Sequence, residues 1–242
     1  MEGFFERLRK KEAFRPSYLL GIWVNPYFTI RRRLHQGVHQ IASLLQGGQL
    51  LDVGCGSKPY KELFQVANYV GIDVEVSGHD HSKSEVDIFY DGEALPFPDA
   101  TFDHVFSSEV LEHVLVTDKF MSEISRVLKK GGYFGLTCPF VWAEHEAPYD
   151  FVRFTSFAIE PLLRKHGFDV VSMTKSSGHF ETIMQMLAAY VVEECLPRNK
   201  KLKLLLTPFF VSPITIIGIG LGKILPDSQK FYHNNIVVAR KV

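Results

Sequence analysis

The run Leu51-Asp52-Val53-Gly54-Cys55-Gly56-Ser57-Lys58-Pro59-Tyr60 places two glycines and a carboxylate directly after a short apolar stretch. Glycines at a turn leaving a strand let the backbone approach a ligand that a side chain would hold away. About twenty residues on, Asp73 ends a second apolar stretch, where such a carboxylate can accept hydrogen bonds from ribose hydroxyls. Together these residues describe a pocket for a ribose-bearing cofactor. The dinucleotide pattern G-x-G-x-x-G is not met, because Pro59 stands where the third glycine belongs. A nicotinamide or flavin oxidoreductase is therefore disfavoured.

Two further clusters could move protons or hold an ion. Glu109, Glu112 and His113 lie within Glu109-Val110-Leu111-Glu112-His113 and would share one face of a helix through i,i+3 and i,i+4 spacing. Two carboxylates and an imidazole so placed can bind a divalent cation, or can serve as packing and hydrogen-bonding groups of the cofactor pocket. The second reading is carried forward, and the metal assignment stays open. The other cluster spans residues 143–155 and includes His145, Tyr149, Asp150, Arg153 and Thr155. Histidine titrates near neutral pH, so His145 is the preferred general base and His113 the second candidate. Asp150 and Arg153 could equally form a structural ion pair, with Thr155 capping the next helix. His79 and His81, among Ser, Gly and Asp, read as an exposed loop.

Strands alternating with helices must carry these groups. Residues 49–53, 69–74, 87–90, 102–107, 131–139, 168–175 and 232–240 read as strands. Residues 59–66, 110–128 (interrupted near Leu115) and 155–166 read as helices. This alternation implies a mostly parallel sheet covered on both faces. Upstream, Ile30, Leu34, Val38, Ile41, Leu44 and Leu45 recur at spacings of three and four, predicting a covering helix over 29–45 that ends at Gly47-Gly48. Residues 1–47 then form an N-terminal helical cap and 48–242 the main domain, with an apolar insertion at about 198–226.

The blocks LLDVGCGSKPY, YVGIDV, DGEALPFPDATFDHVFSSEVLEHV and EISRVLKKGGYFGLTCP appear in this order over residues 49–139. They resemble the type 11 class I S-adenosylmethionine-dependent methyltransferases. The resemblance implies a Rossmann-like α/β fold with a seven-stranded, mostly parallel sheet and helices on both faces. It implies S-adenosylmethionine as cofactor and S-adenosylhomocysteine as product. Carried over by position, Asp52, Gly54, Cys55 and Gly56 would line the methionine and ribose part. Asp73 would hold the ribose, Val74 would lie against the adenine, and Asp91 and Gly92 would read the adenine edge. Ser107 and Ser108 would face the sulfonium. The family often has a further glycine where Lys58 stands, so the loop must differ locally. The E-x-x-E-H element is also similar to that of some metal-assisted relatives. An H-x-x-x-x-D-x-x-R-F-T pattern beginning at His145 resembles methyltransferases of surface-glycan clusters, and implies that Tyr149 and Arg153 shape an acceptor site.

Composition narrows the partners. Lys+Arg and Asp+Glu both count 27 in 242 residues, and this balance gives no basic excess for nucleic acid. Three scattered cysteines form no metal or disulfide framework and suit a reducing, cytoplasmic setting. The charged start, MEGFFERLRKKEAF, has no apolar signal core. Residues 204–222 carry no charge. Pro208, Pro213 and three glycines argue against one long straight helix, leaving a pocket cover, a surface that dips into the inner face of a membrane, or a span. Lys200, Lys201 and Lys203 flank the segment as an interfacial anchor requires. The expected function is methyl transfer to a small-molecule, glycan or lipid-linked acceptor, at oxygen. The alternative is a non-catalytic cofactor-binding regulator or scaffold.

Overall fold

Residues 12–77 and 84–242 are described by the computed structural model, so the loop reading of His79 and His81, and the first eleven residues, lie outside the described part. Seven strands form one sheet: β1 Gln49–Val53, β2 Asn68–Val74, β3 Ile88–Tyr90, β4 Phe102–Ser108, β5 Leu128–Pro139, β6 Phe168–Lys175 and β7 Asn234–Lys241. Their order is β3-β2-β1-β4-β5-β7-β6. Strands β3, β2, β1, β4 and β5 run parallel, and β7 lies antiparallel to β5. Strand order reverses between β1 and β4, the position at which open α/β sheets bind ligands beyond their carboxyl ends.

The chain divides into two compact units. One contains residues up to 36 together with 175–233, and the other contains 37–174 together with 234–242. The division falls inside helix α1, Phe28–Leu44.

In the sheet unit, alternation along β5 sorts the core. Phe134, Leu136 and Cys138 join a buried cluster with Phe120, Met121, Ile124 and Val127 of helix α2, Thr117–Val127. Ile159 and Leu163 of helix α3, Ser156–Lys165, join the same cluster. Gly135 faces the other way, where Ile41 and Leu45 cover the sheet. Helices therefore lie on both faces, as side chains of period two require.

The expected helix over 29–45 is present, with Ile30, Leu34, Val38, Ile41 and Leu45 buried, but Leu44 is 43% exposed. Two expectations are corrected. Residues 59–66 make only a 3-10 turn at Lys61–Leu63, because Tyr60 and Phe64 both turn inward onto Phe106. The reading over 110–128 holds for α2 and for the interruption near Leu115, but the part before the break is a 3-10 turn at Leu111–His113, since the left-handed backbone of Glu109 (φ 56°) redirects the chain.

The other unit holds α4 His179–Tyr190, α5 Lys200–Phe210 and α6 Ser212–Leu221. The buried Gln185 amide fastens α1: its Oε1 accepts from the Thr29 and Ile30 amides and its Nε2 donates to the Pro26 carbonyl. The apolar segment breaks at Val211, with Pro213 in the first turn of α6, where its missing N–H costs nothing. Outward-facing Leu205, Phe209, Phe210, Ile216, Ile217 and Ile224 stay exposed.

A Gly135→Ala substitution checks the packing of α1 on β5. The new Cβ would meet Ile41 Cγ2 at 2.3 Å, and a β-branched neighbour cannot swing aside. Thermal melts are expected to show a loss of about 1–3 kcal/mol. A gain, as unstrained Gly-to-Ala replacement gives, would contradict the contact.

Candidate active site

At the end of β1 the backbone turns through Gly54 (φ 76°) and Gly56 (φ 49°). The amides of Gly54 and Cys55 both donate to the Ile72 carbonyl. A Cβ on Gly54 would stand 2.3 Å from Val110 Cγ2, so glycine is needed there for close approach. A Cβ on Gly56 would meet nothing within 4 Å, so that side of the turn is open. The Gly56 amide donates to Asp73 Oδ2, and the Val74 amide to Asp73 Oδ1. Asp73, the carboxylate expected to hold the ribose, therefore braces the glycine turn.

Lys58, which stands where the resemblance implies a glycine, has a left-handed backbone (φ 48°). Its side chain is 5% exposed and its Nζ lies 2.7 Å from Asp87 Oδ2, which also accepts from the Gly71 amide. A backbone conformation costing about 1–2 kcal/mol for a non-glycine residue is thus held by a buried lysine side chain whose ammonium reaches the half-exposed Asp87. A three-residue 3-10 turn follows, so no helix N-terminus faces the loop. That suits a cofactor without a phosphate to bind.

Asp52 is buried and accepts a hydrogen bond from the Tyr69 hydroxyl. Burial pushes its carboxyl up to about 7 against that bond, with Asp73 adding to the rise. Cys55 is buried, and burial raises its thiol, so it packs as a neutral group. Asp91 Oδ1 accepts from the Glu93 and Ala94 amides, closing a tight turn in which Gly92 has φ 80°. The fully buried Ser107 hydroxyl donates to the Val53 carbonyl, tying β4 to β1. Ser108 Oγ lies 2.8 Å from Thr137 Oγ1.

A second polar centre begins one residue later. Glu109 accepts from Thr137 Oγ1 through Oε1 and from Asn234 Nδ2 through Oε2, and its amide donates to the Thr137 carbonyl. Glu109 therefore does not share a helical face with Glu112 and His113. The Glu112 side chain is 1% exposed, and neither carboxylate oxygen has a hydrogen-bond partner. Burial, then the nearby Glu109 charge, raises its pKa well above the usual carboxylate range. The Glu112 carbonyl anchors the second loop by accepting from the Phe151 and Val152 amides.

That loop brings His145 onto His113, with ring centroids 4.8 Å apart and edge to face. His113 Nδ1 lies 2.8 Å from the Tyr149 carbonyl. His145 Nδ1 lies 3.3 Å from the Ala143 carbonyl and 3.2 Å from Asp150 Oδ2. Arg153 grips Asp150 with both terminal nitrogens and also donates to the Ala143 carbonyl, holding the Asp150 carboxyl far below its usual range. The structural ion pair is thus present. Thr155 stands at the start of α3, but its side chain makes no capping bond.

The sequence brought Glu112, His113 and His145 forward as candidates but missed Thr137, Asn234, Tyr69, the Lys58–Asp87 pair and Glu146. An alternation of polar residues on otherwise apolar strands, as at Tyr69 and Thr137, was the available signal. The Asn234 contact spans 125 residues and leaves no local trace.

The strand order, the reversal beside β1 and the glycine turn braced by Asp73 define the class I methyltransferase fold. Residues 51–136 match the family described as Methyltransferase domain, and over this stretch the chain is similar to S-adenosylmethionine-dependent methyltransferases. It is 29% identical over 166 residues to the fatty-acid O-methyltransferase of Mycolicibacterium smegmatis, covering 62% of this chain and 58% of that one. It is 32% identical over 145 residues to a sterol 24-C-methyltransferase of Schizosaccharomyces pombe, covering 54% and 35%. Both alignments therefore stop well short of the relatives' full lengths. The phosphoethanolamine N-methyltransferase 2 of Haemonchus contortus, solved with S-adenosyl-L-methionine, superposes with a TM-score of 0.53. It shares 18% identity over 99% of this chain and 60% of that one, a likeness of fold alone.

Asp52 gives a pH-dependent prediction. Its folded pKa lies above the unfolded value, so the group favours folding at low pH and opposes it as pH rises from about 4 to about 7. The rise to about 7 corresponds to roughly 4 kcal/mol at most. Asp52→Asn, which can still accept from Tyr69, is expected to raise the melting temperature of the cofactor-free protein at pH 8 far more than at pH 5. Equal shifts at both pH values would show that the buried carboxyl is not strained by ionisation.

Proposed function

We propose that this chain methylates an oxygen of an apolar, lipid-like small molecule, with S-adenosylmethionine as donor and S-adenosylhomocysteine as product. The observation that carries the cofactor assignment is the Gly56 turn, open where a Cβ would project and braced by Asp73. These residues fit the cofactor: Asp73 and Val74 for the ribose and adenine, Asp91 and Gly92 for the adenine edge, and residues 52–56 for the amino-acid part. When bound, the sulfonium supplies a methyl group already activated for displacement by a lone pair.

The chain's own task is then to align the acceptor and keep water out. As the carbon–oxygen bond forms and the carbon–sulfur bond breaks, the acceptor hydroxyl must give up its proton. The His113–His145 pair, just past the carboxyl end of β4 and in the loop after β5, is the group that acts on that hydroxyl. Two partly buried imidazoles, within reach of an acceptor, favour oxygen as the methylated atom. The relatives named for fatty-acid and sterol substrates favour an apolar acceptor.

The α5–α6 segment supports a membrane-surface setting at the cytoplasmic side. Lys200–Leu221 is long and apolar enough to cross a bilayer by length and composition, yet only 28% of its most apolar stretch is buried. It is broken at Val211, and β7, which follows it, pairs with β5 in the same sheet. A single crossing would separate those two strands, so the segment lies in the interface with Lys200, Lys201 and Lys203 toward anionic headgroups.

Calorimetric titration with S-adenosylmethionine tests the cofactor half. Asp73→Ala is expected to weaken binding at least tenfold, since hydrogen bonds to a charged group contribute about 1.5–3 kcal/mol. No binding by folded wild-type protein would remove the methyltransferase activity from consideration. Flotation with anionic vesicles tests the surface: the full-length protein should co-float, and a Phe209→Ser, Phe210→Ser, Ile217→Ser variant should lose most of that binding. Equal partitioning of both would sink the interfacial reading.

A further inference from the structure

The geometry points to a divalent first-row cation held by Glu112, His113, His145 and Glu146. This inference rests on reading that centre as the acceptor site. Donor atoms of Glu112, His113 and His145 all lie within 4.8 Å of one another. His113 Nε2 is 3.7 Å from Glu112 Oε1 and 3.7 Å from Glu146 Oε1, and His145 Nε2 is 4.0 Å from the same Glu146 oxygen. Two donors each about 2.1 Å from a shared ion stand roughly 3.4 Å apart in a tetrahedral site, so small side-chain adjustments close the set.

The imidazoles are presented in ligand form. A carbonyl only accepts, so the contacts of His113 Nδ1 with Tyr149 and of His145 Nδ1 with Ala143 place the proton on Nδ1 in each neutral ring. Both Nε2 atoms then carry bare lone pairs. Such outer contacts, from a carbonyl or carboxylate to the far nitrogen, are what orient metal-binding histidines. Asp150 supplies a second one to His145, and is itself fixed by Arg153.

An independent observation comes from Glu112. Its residue is fully buried, both oxygens lack a hydrogen-bond partner, and His113 Nε2 beside it is also buried and unpartnered. A carboxylate and an imidazole lone pair aimed at each other repel unless a proton or a cation lies between them. Two nitrogens and two carboxylates suit zinc, cobalt, iron or manganese better than magnesium or calcium, which prefer all-oxygen sets. Glu109 is outside the set, because Thr137 and Asn234 hold its carboxylate.

The test uses the full chain, stripped with chelator and dialysed. Titration with Co²⁺, followed by its visible absorption, and with Zn²⁺ by calorimetry, should show one equivalent bound and a raised melting temperature. Glu112→Gln and His145→Ala should each bind at least tenfold more weakly and lose the melting shift, while circular dichroism confirms that they fold. S-adenosylmethionine binding, measured on the same samples, should be unchanged. Uptake by wild type no greater than by the variants would overturn the cation site while leaving the methyltransferase reading intact. So would activity that resists chelator yet falls in His145→Ala, an outcome that makes His145 the direct base.

Discussion

The carboxylate of Glu109 ties together three strand ends. Glu109 follows β4 directly, accepts from Thr137 on β5, and accepts from Asn234 at the start of β7. Because its backbone is left-handed, the chain leaves the sheet at once and folds into the Leu111–His113 turn. That turn sends Glu112 inward and sets His113 against the Tyr149 carbonyl. Hydrogen bonds to a charged acceptor are worth about twice their neutral counterparts, which is enough to hold a non-glycine residue in this conformation. The site therefore depends on β7, whose antiparallel pairing with β5 joins residues about a hundred positions apart. Such non-local contacts form late in folding, so the polar centre is completed only when the end of the chain docks.

The cofactor turn solves a related problem differently. A dinucleotide enzyme directs a helix N-terminus at a pyrophosphate and needs a third glycine for the helix to approach. Here Pro59 stands at that position, and Lys58 before it folds beneath the turn onto Asp87 and across the face of Gly71. The lysine replaces backbone freedom with an ion pair, and the resulting loop is stiff on its inner side and open at Gly56. A sulfonium cofactor carries no phosphate, so nothing is lost by omitting the helix.

These contrasts explain what the sequence made legible. Strand β1 was read with correct bounds because a strand buried in a sheet shows as a short apolar run between turn residues, whereas the edge strand β6, equally well bounded, shows as an alternating run opened after Gly167. Helix α1 was legible from its stripe of apolar residues, to within one residue at each end. The segment after β1, and the first turn of the segment after β4, were misread as α-helix for one shared reason. Periodicity reports which residues face the core if a helix forms, and it carries no information on backbone hand. Lys58 and Glu109, both left-handed without being glycine, are fixed by partners 29 and 28 or more residues away. Functional residues on those segments were identifiable by type, whereas their geometry was not.

The same centre contains its own comparison for the least comfortable residue. Asp150 is nearly as enclosed as Glu112, with its side chain 4% exposed, and is satisfied by a forked arginine and the His145 amide. Glu109 is satisfied by a threonine and an asparagine. Only Glu112, between them, has no hydrogen-bond partner, and the nearby Arg153 guanidinium is already forked onto Asp150. A fold that supplies partners so fully to two carboxylates is not short of donors in this region. Leaving a buried acid unsatisfied costs stability, and the burial of Glu112 beside an imidazole lone pair is therefore best understood as pre-organisation for a positive charge that arrives from outside the chain.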